Sequence, residues 1–186
     1  MIRNTFANHG ITITEEQEQK LNQYYDLLID WNNKINLTSI VEYEEVIWKH
    51  FLDSAFFVSC DKVDLKEKKK VLDLGTGAGF PGMVLAILCP DYEFVLADSL
   101  NKRIEFLKVV INRLQIHNVS VIHGRAEELG RDENFRNQFD YVVSRAVAEL
   151  PVLLEYCIPF VKKGGYFVSY KSRRLDEEIE NAENAL

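Results

Sequence analysis

At 186 residues, with 47% hydrophobic and 27% charged side chains, the chain can bury one full domain core plus an appendage. Its net charge of −7 excludes a surface that is basic throughout, though not a local basic patch. No apolar run approaches the roughly 20 residues of a membrane span, and the N-terminus lacks a signal-peptide core, so the sequence reads as cytoplasmic.

Cys60, Cys89 and Cys157 are odd in number and far apart, which suits buried structural thiols better than a disulfide framework or zinc site. His9, His50, His117 and His123 show no ligand spacing either, so no metal is expected.

Thr14-Glu15-Glu16-Gln17 is a capping box that predicts a helix with the stripe Leu21, Tyr24, Tyr25, Leu28 and Trp31. The polar run Asn32-Asn33-Lys34 predicts its end, and a second helical stretch is expected from about Glu42 into Phe57. With no strand signal before about residue 63, residues 1–63 read as an N-terminal helical appendage and residues 64–186 as a second unit. Two lysine clusters, Lys66, Lys68, Lys69 and Lys70, then Lys162, Lys163 and Lys171 with Arg173 and Arg174, are either solvated loops or an RNA contact.

Beyond that boundary strands alternate with helices. Strands are predicted at residues 71–74, 94–98, 119–123, 141–144 and 166–170, with Gly164-Gly165 breaking the chain before the last. Leu100, Ile104, Leu107, Ile111 and Leu114 form a helix stripe, and Leu175, Ile179, Ala182 and Leu186 form another at the end. This alternation predicts an α/β fold of Rossmann-like type, a parallel sheet covered on both faces. Its ligand crevice lies where the first, second and fourth strands end.

At the end of the first strand stands Val71-Leu72-Asp73-Leu74-Gly75-Thr76-Gly77-Ala78-Gly79-Phe80-Pro81-Gly82, read as strand, tight turn and helix start. Unpaired N–H groups at that helix start are expected to face a ligand. Two cofactors fit. Gly77 to Gly82 matches the dinucleotide spacing, with Asp98 about 20 residues further on to hold a ribose. Asp73 argues instead for S-adenosylmethionine, because a carboxylate there would repel a pyrophosphate and suit an ammonium or sulfonium. Asp73, Gly75, Gly77, Gly79 and Asp98 are therefore the candidate cofactor residues.

After the fourth strand, Ser144-Arg145-Ala146-Val147-Ala148 stands where amine methylation commonly uses an Asp/Asn-Pro-Pro-aromatic turn. Cys89-Pro90 reads as a helix stop rather than a nucleophile for carbon methylation. There remains an acceptor that is already nucleophilic, or an oxygen acceptor with a base not located in the sequence.

The stretches 73–82, Leu96-Ala97-Asp98-Ser99-Leu100-Asn101-Lys102-Arg103, Gly124-Arg125-Ala126-Glu127-Glu128 and Ser144-Arg145-Ala146 resemble the bacterial small-subunit (16S) ribosomal RNA guanine-N7 methyltransferases, formerly called glucose-inhibited division protein B. Asn36-Leu37-Thr38 and Lys49-His50-Phe51-Leu52-Asp53-Ser54 look like the same family, so the resemblance spans nearly the whole chain. It implies the S-adenosylmethionine-dependent methyltransferase fold, with S-adenosyl-L-methionine as cofactor and small-subunit ribosomal RNA or the small ribosomal subunit as partner. It also implies that Gly75 and Phe80 lie on the cofactor, that Ala126 and Glu127 contact its adenine side, and that Arg145 completes the pocket.

Arg145 is read as positioning the reactants, against the plainer reading of a surface ion pair with Glu149. His50 and Asp53 have either a role near the acceptor or a half-buried helix face to explain them. The chain departs from the family in having Ser172 after Lys171 where Lys-Gly is usual. The closing strands of the family are expected beyond Leu186, which would leave the fifth strand at the sheet edge. Two other functions stay open at this point: a nicotinamide-dependent oxidoreductase, and a non-catalytic RNA-binding or ribosome-assembly protein.

Overall fold

The computed structural model describes residues 1–145 and 148–170. The expected closing helix stripe, Lys171-Ser172 and Ala146-Val147 lie outside the described residues.

Thr14 and Gln17 form the reciprocal cap read from the sequence: Thr14 Oγ1 accepts the Gln17 N–H at 3.2 Å, and Gln17 Oε1 accepts the Thr14 N–H at 2.9 Å. The same glutamine donates through Nε2 to the Ile87 and Leu88 carbonyls, tying this helix to the end of the one after the glycine turn. The helix runs from Glu15–Ile35, so the polar run at 32–34 does not stop it. Asn32 instead reaches forward, its Oδ1 accepting the Leu37 and Thr38 N–H groups, and Asn36 closes the helix in the left-handed region at φ 48°. A short helix, Ile2–Ala7, was not read from the sequence, because it has neither a cap nor enough length for a period; it buries Ile2 and Phe6 completely.

Residues 43–59 are helical, as expected, but the middle of the stretch, Ile47–Leu52, is a π-helix flanked by α-helical turns. Propensity gives no signal for such a segment, and it is where His50 sits. Such irregular turns recur at functional sites.

Five parallel strands follow, β1 Lys70–Leu74, β2 Glu93–Asp98, β3 Val119–His123, β4 Phe139–Arg145 and β5 Val161–Tyr170, in the order β3-β2-β1-β4-β5. Gly164-Gly165 lies inside β5 rather than before it. The glycines make a bulge: the pairing slips between Phe139 and Tyr141, and a Cβ on Gly165 would stand 2.6 Å from the Asp140 carbonyl oxygen. Cys89 ends the Gly82–Leu88 helix, as read. Cys89 and Cys157 are buried, whereas Cys60 is exposed on the loop before β1, so it is not the structural thiol expected.

Alternate strand residues feed opposite faces. Val71, Phe94, Leu96, Tyr141 and Val143 join one core with Leu21, Tyr24, Leu28 and Phe51 of the N-terminal helices. Leu72, Leu74, Ala97 and Val142 join the other with Leu153, Cys157 and Phe160. The Glu15–Ile35 helix lies against the Gly82–Leu88 and Asn101–Leu114 helices. Fully burying side chains such as Leu21 and Leu28 contributes about 1.5–3 kcal/mol each, an upper estimate. The first 63 residues thus share a core with the sheet.

Tyr24 reaches through that core to the glycine turn, donating its hydroxyl to the Ala78 carbonyl. Gly79, at φ +97°, leaves room for it: a Cβ there would fall on the Tyr24 hydroxyl and 2.9 Å from Leu107 Cδ2. Gly77, at φ +62°, has nothing nearer than the Gly75 carbonyl oxygen at 4.0 Å. Gly77→Ala should therefore cost about 1–2 kcal/mol of left-handed backbone strain. Gly79→Ala should cost about 3 kcal/mol or more, because overpacking adds to the strain. Urea unfolding of the two variants separates these values, and equal losses would contradict the packing described.

Candidate functional site

The sheet reverses its winding between β1 and β4, so the carboxyl ends of these strands and of β2 surround one crevice. The ends are tied together: Ser144 Oγ donates to the Leu74 carbonyl at 2.9 Å, and the Gly75 and Thr76 N–H groups both donate to the Ala97 carbonyl.

Asp73 lies beneath the turn, with no exposed surface. Its Oδ2 accepts the Thr76 hydroxyl at 2.6 Å and the Gly82 N–H at 2.7 Å, while Oδ1 is buried without a partner. Gly82 has to lack a Cβ, which would stand 2.6 Å from Asp73 Oδ2. The expectation of free N–H groups at the helix start is therefore corrected. Gly82 donates to Asp73, because a buried carboxylate demands donors, and Met83 donates to the Gly79 carbonyl of the turn. Burial pushes the Asp73 carboxyl up to about 6, offset by the Thr76 and Gly82 hydrogen bonds.

Asp98, 3% exposed at the end of β2, faces the same turn. Its Oδ2 accepts the Gly77 N–H at 2.9 Å and Arg103 Nη1 at 3.2 Å, and its Oδ1 accepts the Leu100 N–H at 2.8 Å. Gly124 donates to the Asp98 backbone carbonyl, which sets Ala126 and Glu127, on the short helix Ala126–Leu129, one strand further out. Ala126 packs on the core that holds Leu74 and Ala97, and the Glu127 carboxylate raises the Tyr156 hydroxyl above its ordinary value.

On the other side stands Arg145, its side chain 15% exposed. Its partner is not Glu149. Nη1 donates to Asp53 Oδ2 at 2.8 Å and to the Lys49 carbonyl at 3.3 Å, and Nη2 lies 3.2 Å from His50 Nδ1. The guanidinium carbon is 5.2 Å from the centroid of the Phe80 ring, on which the His50 ring stacks at 4.4 Å and 16°. His50 Nε2 meets Thr38 Oγ1 at 2.9 Å. Burial, with Arg145 adding to it, lowers the His50 imidazole to about 4.

The structure thus brings Asp73, Gly75, Gly77, Gly79, Phe80, Asp98 and Arg145 to one edge of the sheet, with Ala126 and Glu127 beside Asp98. Sequence reasoning missed the hydroxyl of Tyr24 under the turn, Thr38 on His50, Arg103 on Asp98, and Tyr170, which donates to the Ser54 carbonyl at 2.8 Å. For Tyr24 the available signal is a hydroxyl-bearing ring, with its neighbour Tyr25, in a helix stripe that is otherwise apolar, and Thr38 and Arg103 lie inside motifs already singled out.

A family model described as GidB, rRNA small subunit methyltransferase G, matches residues 17–186. A protein named Ribosomal RNA small subunit methyltransferase G from Lachnoclostridium phytofermentans is 55% identical over 177 residues, 95% of this chain and 72% of that relative. One of the same name from Alkaliphilus metalliredigens is 53% identical over 178 residues, 95% of this chain and 73% of the relative. Among solved structures, a SAM-dependent methyltransferase from Aquifex aeolicus superimposes with a TM-score of 0.57 at 18% identity, over 76% of this chain and 83% of that one. A precorrin-6y C5,15-methyltransferase from Geobacter metallireducens gives 0.56 at 14%, over 83% and 78%. These structures establish the Rossmann-like methyltransferase fold, with helices preceding its sheet.

Because the Asp73 carboxyl is raised from 3.8 to about 6, the native state holds its proton where the unfolded chain has lost it. Its contribution to stability therefore falls as pH rises from about 4 to about 6 and stays low above that. Asp73→Asn keeps an oxygen for Thr76 and Gly82 and removes the charge. Its unfolding free energy relative to the parent should improve by about 2–3 kcal/mol between pH 4 and pH 7. The lowered His50 has the opposite sign, adding stability as pH rises from about 4 to 6.5, but it is present in both proteins and cancels. A difference independent of pH in denaturant titrations would contradict the burial assigned to Asp73.

Proposed function

The chain belongs to the rRNA small subunit methyltransferase G family, and on that premise we propose that it transfers a methyl group from S-adenosyl-L-methionine to N7 of a guanine in small-subunit (16S) ribosomal RNA. The observation that carries this reading is the family match over residues 17–186, which includes every residue gathered at the crevice. The comparisons lend no support to a nicotinamide-dependent oxidoreductase or to a non-catalytic RNA-binding or ribosome-assembly protein.

The residues present suit the cofactor. The turn is open at Gly77, where a Cβ would meet nothing nearer than the Gly75 carbonyl oxygen at 4.0 Å, and the Asp98 carboxylate stands at the end of β2 for ribose hydroxyls. Gly75, Gly77 and Phe80 line the turn, Ala126 and Glu127 form the adenine side, and Asp73 supports the turn from beneath. S-adenosyl-L-methionine supplies a methyl group on a sulfonium. Residues 64–186 then carry the cofactor, and residues 1–63 contribute Thr38, His50 and Asp53 to the acceptor side. The protein works in the cytoplasm on small-subunit ribosomal RNA or the small ribosomal subunit, and the chemistry requires neither a metal nor a membrane.

Guanine N7 carries a lone pair and no proton, so its attack on the methyl carbon forms one bond as the carbon–sulfur bond breaks. The purine gains a positive charge, and no general base is required. Rate enhancement then comes from holding N7, carbon and sulfur in line. Arg145 orients rather than transfers a proton, since a guanidinium stays protonated. Asp53 at 2.8 Å tempers its charge, which would otherwise oppose the developing purinium.

The direct test is transfer of a labelled methyl group to naked 16S RNA, small subunits and whole ribosomes, with the modified base identified by mass. Label at a guanine N7 is expected, and label elsewhere or none overturns the reading. Single-turnover rates should vary little between about pH 7 and pH 8.5, since unperturbed carboxylates and lysines do not titrate there. Arg145→Lys keeps the charge and loses the planar fork held by Asp53, His50 and the Lys49 carbonyl. It should be impaired almost as badly as Arg145→Ala, and a near-parental rate would remove Arg145 from the orienting role.

A further inference from the structure

We propose, resting on the methyl-transfer reading above, that His50 is a positioning residue for the reaction: a neutral imidazole protonated on Nε2, whose Nδ1 lone pair holds the Arg145 guanidinium in place beside Phe80.

The tautomer follows from the partners. A guanidinium has donors and no acceptor, so the His50 nitrogen 3.2 Å from Arg145 Nη2 has to be the unprotonated one. The proton of the neutral ring is then on Nε2, 2.9 Å from Thr38 Oγ1, a hydroxyl able to accept it. Thr38 is itself fixed: its Oγ1 accepts the Ile40 N–H at 3.1 Å, and its own N–H donates to Asn32 Oδ1. A chain of hydrogen bonds therefore runs from the end of the Glu15–Ile35 helix through Thr38 and His50 to Arg145 at the end of β4.

Its effect is to grip both sides of the guanidinium. Asp53 and the Lys49 carbonyl hold Nη1, and His50 holds Nη2. The π-helical segment Ile47–Leu52 carries both Lys49 and His50, and Asp53 follows it directly. The charged groups facing the imidazole are Arg145 from β4 and Asp53 and Lys49 from its own helix. A protonated ring would set two cations side by side, so the contact itself selects the neutral form.

A second function of the ring is its stack on Phe80, and packing alone could account for a histidine there. The two roles make opposite orderings of two substitutions. His50→Asn puts a carbonyl oxygen where Nδ1 stood and loses the ring; His50→Phe keeps a stacking ring and loses the acceptor. Positioning of Arg145 requires kcat, at saturating cofactor and RNA, to fall about tenfold or more in His50→Phe and by less in His50→Asn, since a charged donor loses its partner only in the former. The reverse order, or a parental kcat in His50→Phe, overturns the proposal. Thermal melts establish that both variants fold, and Thr38→Val, which removes only the hydroxyl, supplies a second route to the same loss.

The protonation state has its own readout, independent of turnover. A long-range ¹H–¹⁵N NMR spectrum of the parent chain should show His50 as the neutral Nε2–H form at pH 6. A ring protonated on Nδ1, or a fully charged ring at that pH, overturns the proposal. If the parent transfers no methyl group, the proposed function fails and the spectrum alone decides the role of His50.

Discussion

The contact on which the crevice depends is that between Arg145 at the end of β4 and Asp53 of the N-terminal helices, 92 positions apart in sequence. The pair is half shielded, Asp53 retaining 47% of its side-chain exposure and Arg145 only 15%, so its value lies in geometry more than in raw Coulomb energy. A planar guanidinium with two gripped nitrogens has one orientation, and the Phe80 ring beside it has little freedom left. The helices before the sheet are therefore a wall of the crevice. Tyr24 reinforces this from below, stacking on Phe51 and reaching the Ala78 carbonyl of the turn.

Much of this was legible in the sequence, and for definable reasons. The capping box at Thr14, the glycine turn and the alternation of strands with helices all express local backbone chemistry, and each lies where it was read. What was not legible depends on distant partners. Asn32 looks like a helix breaker until Leu37 and Thr38 supply its hydrogen-bond donors. Gly164-Gly165 looks like a strand boundary until β4 approaches closely enough to forbid a Cβ at Gly165. Arg145 has an acid four residues on, yet Asp53 outcompetes it because the fold brings that carboxylate to 2.8 Å. The π-helical turn at Ile47–Leu52 has no sequence signature at all.

The same contrast runs through the electrostatics. Sequence spacing alone makes Asp73 a carboxylate facing the ligand; the structure puts it under the turn, where two donors hold it and burial raises it. The acid that faces the turn from the second strand is Asp98, satisfied by Gly77, Leu100 and Arg103. One carboxylate thus shapes the turn while the other presents oxygens beside it, a division that residue spacing could not give. With a net charge of −7, the chain pairs Lys69, Lys70 and Lys162, at the starts of β1 and β5, with Glu67, Glu93 and Asp140.

The joining of the N-terminal helices to the crevice is tested most directly by a double-mutant cycle on Asp53→Ala and Arg145→Ala, read as the affinity for S-adenosylhomocysteine by calorimetry. If Asp53 holds Arg145 for the ligand, the double variant should lose less than the sum of the single losses, with a coupling of about 1 kcal/mol or more. Additive losses would mean that the two residues act independently and that the helices merely pack against the sheet.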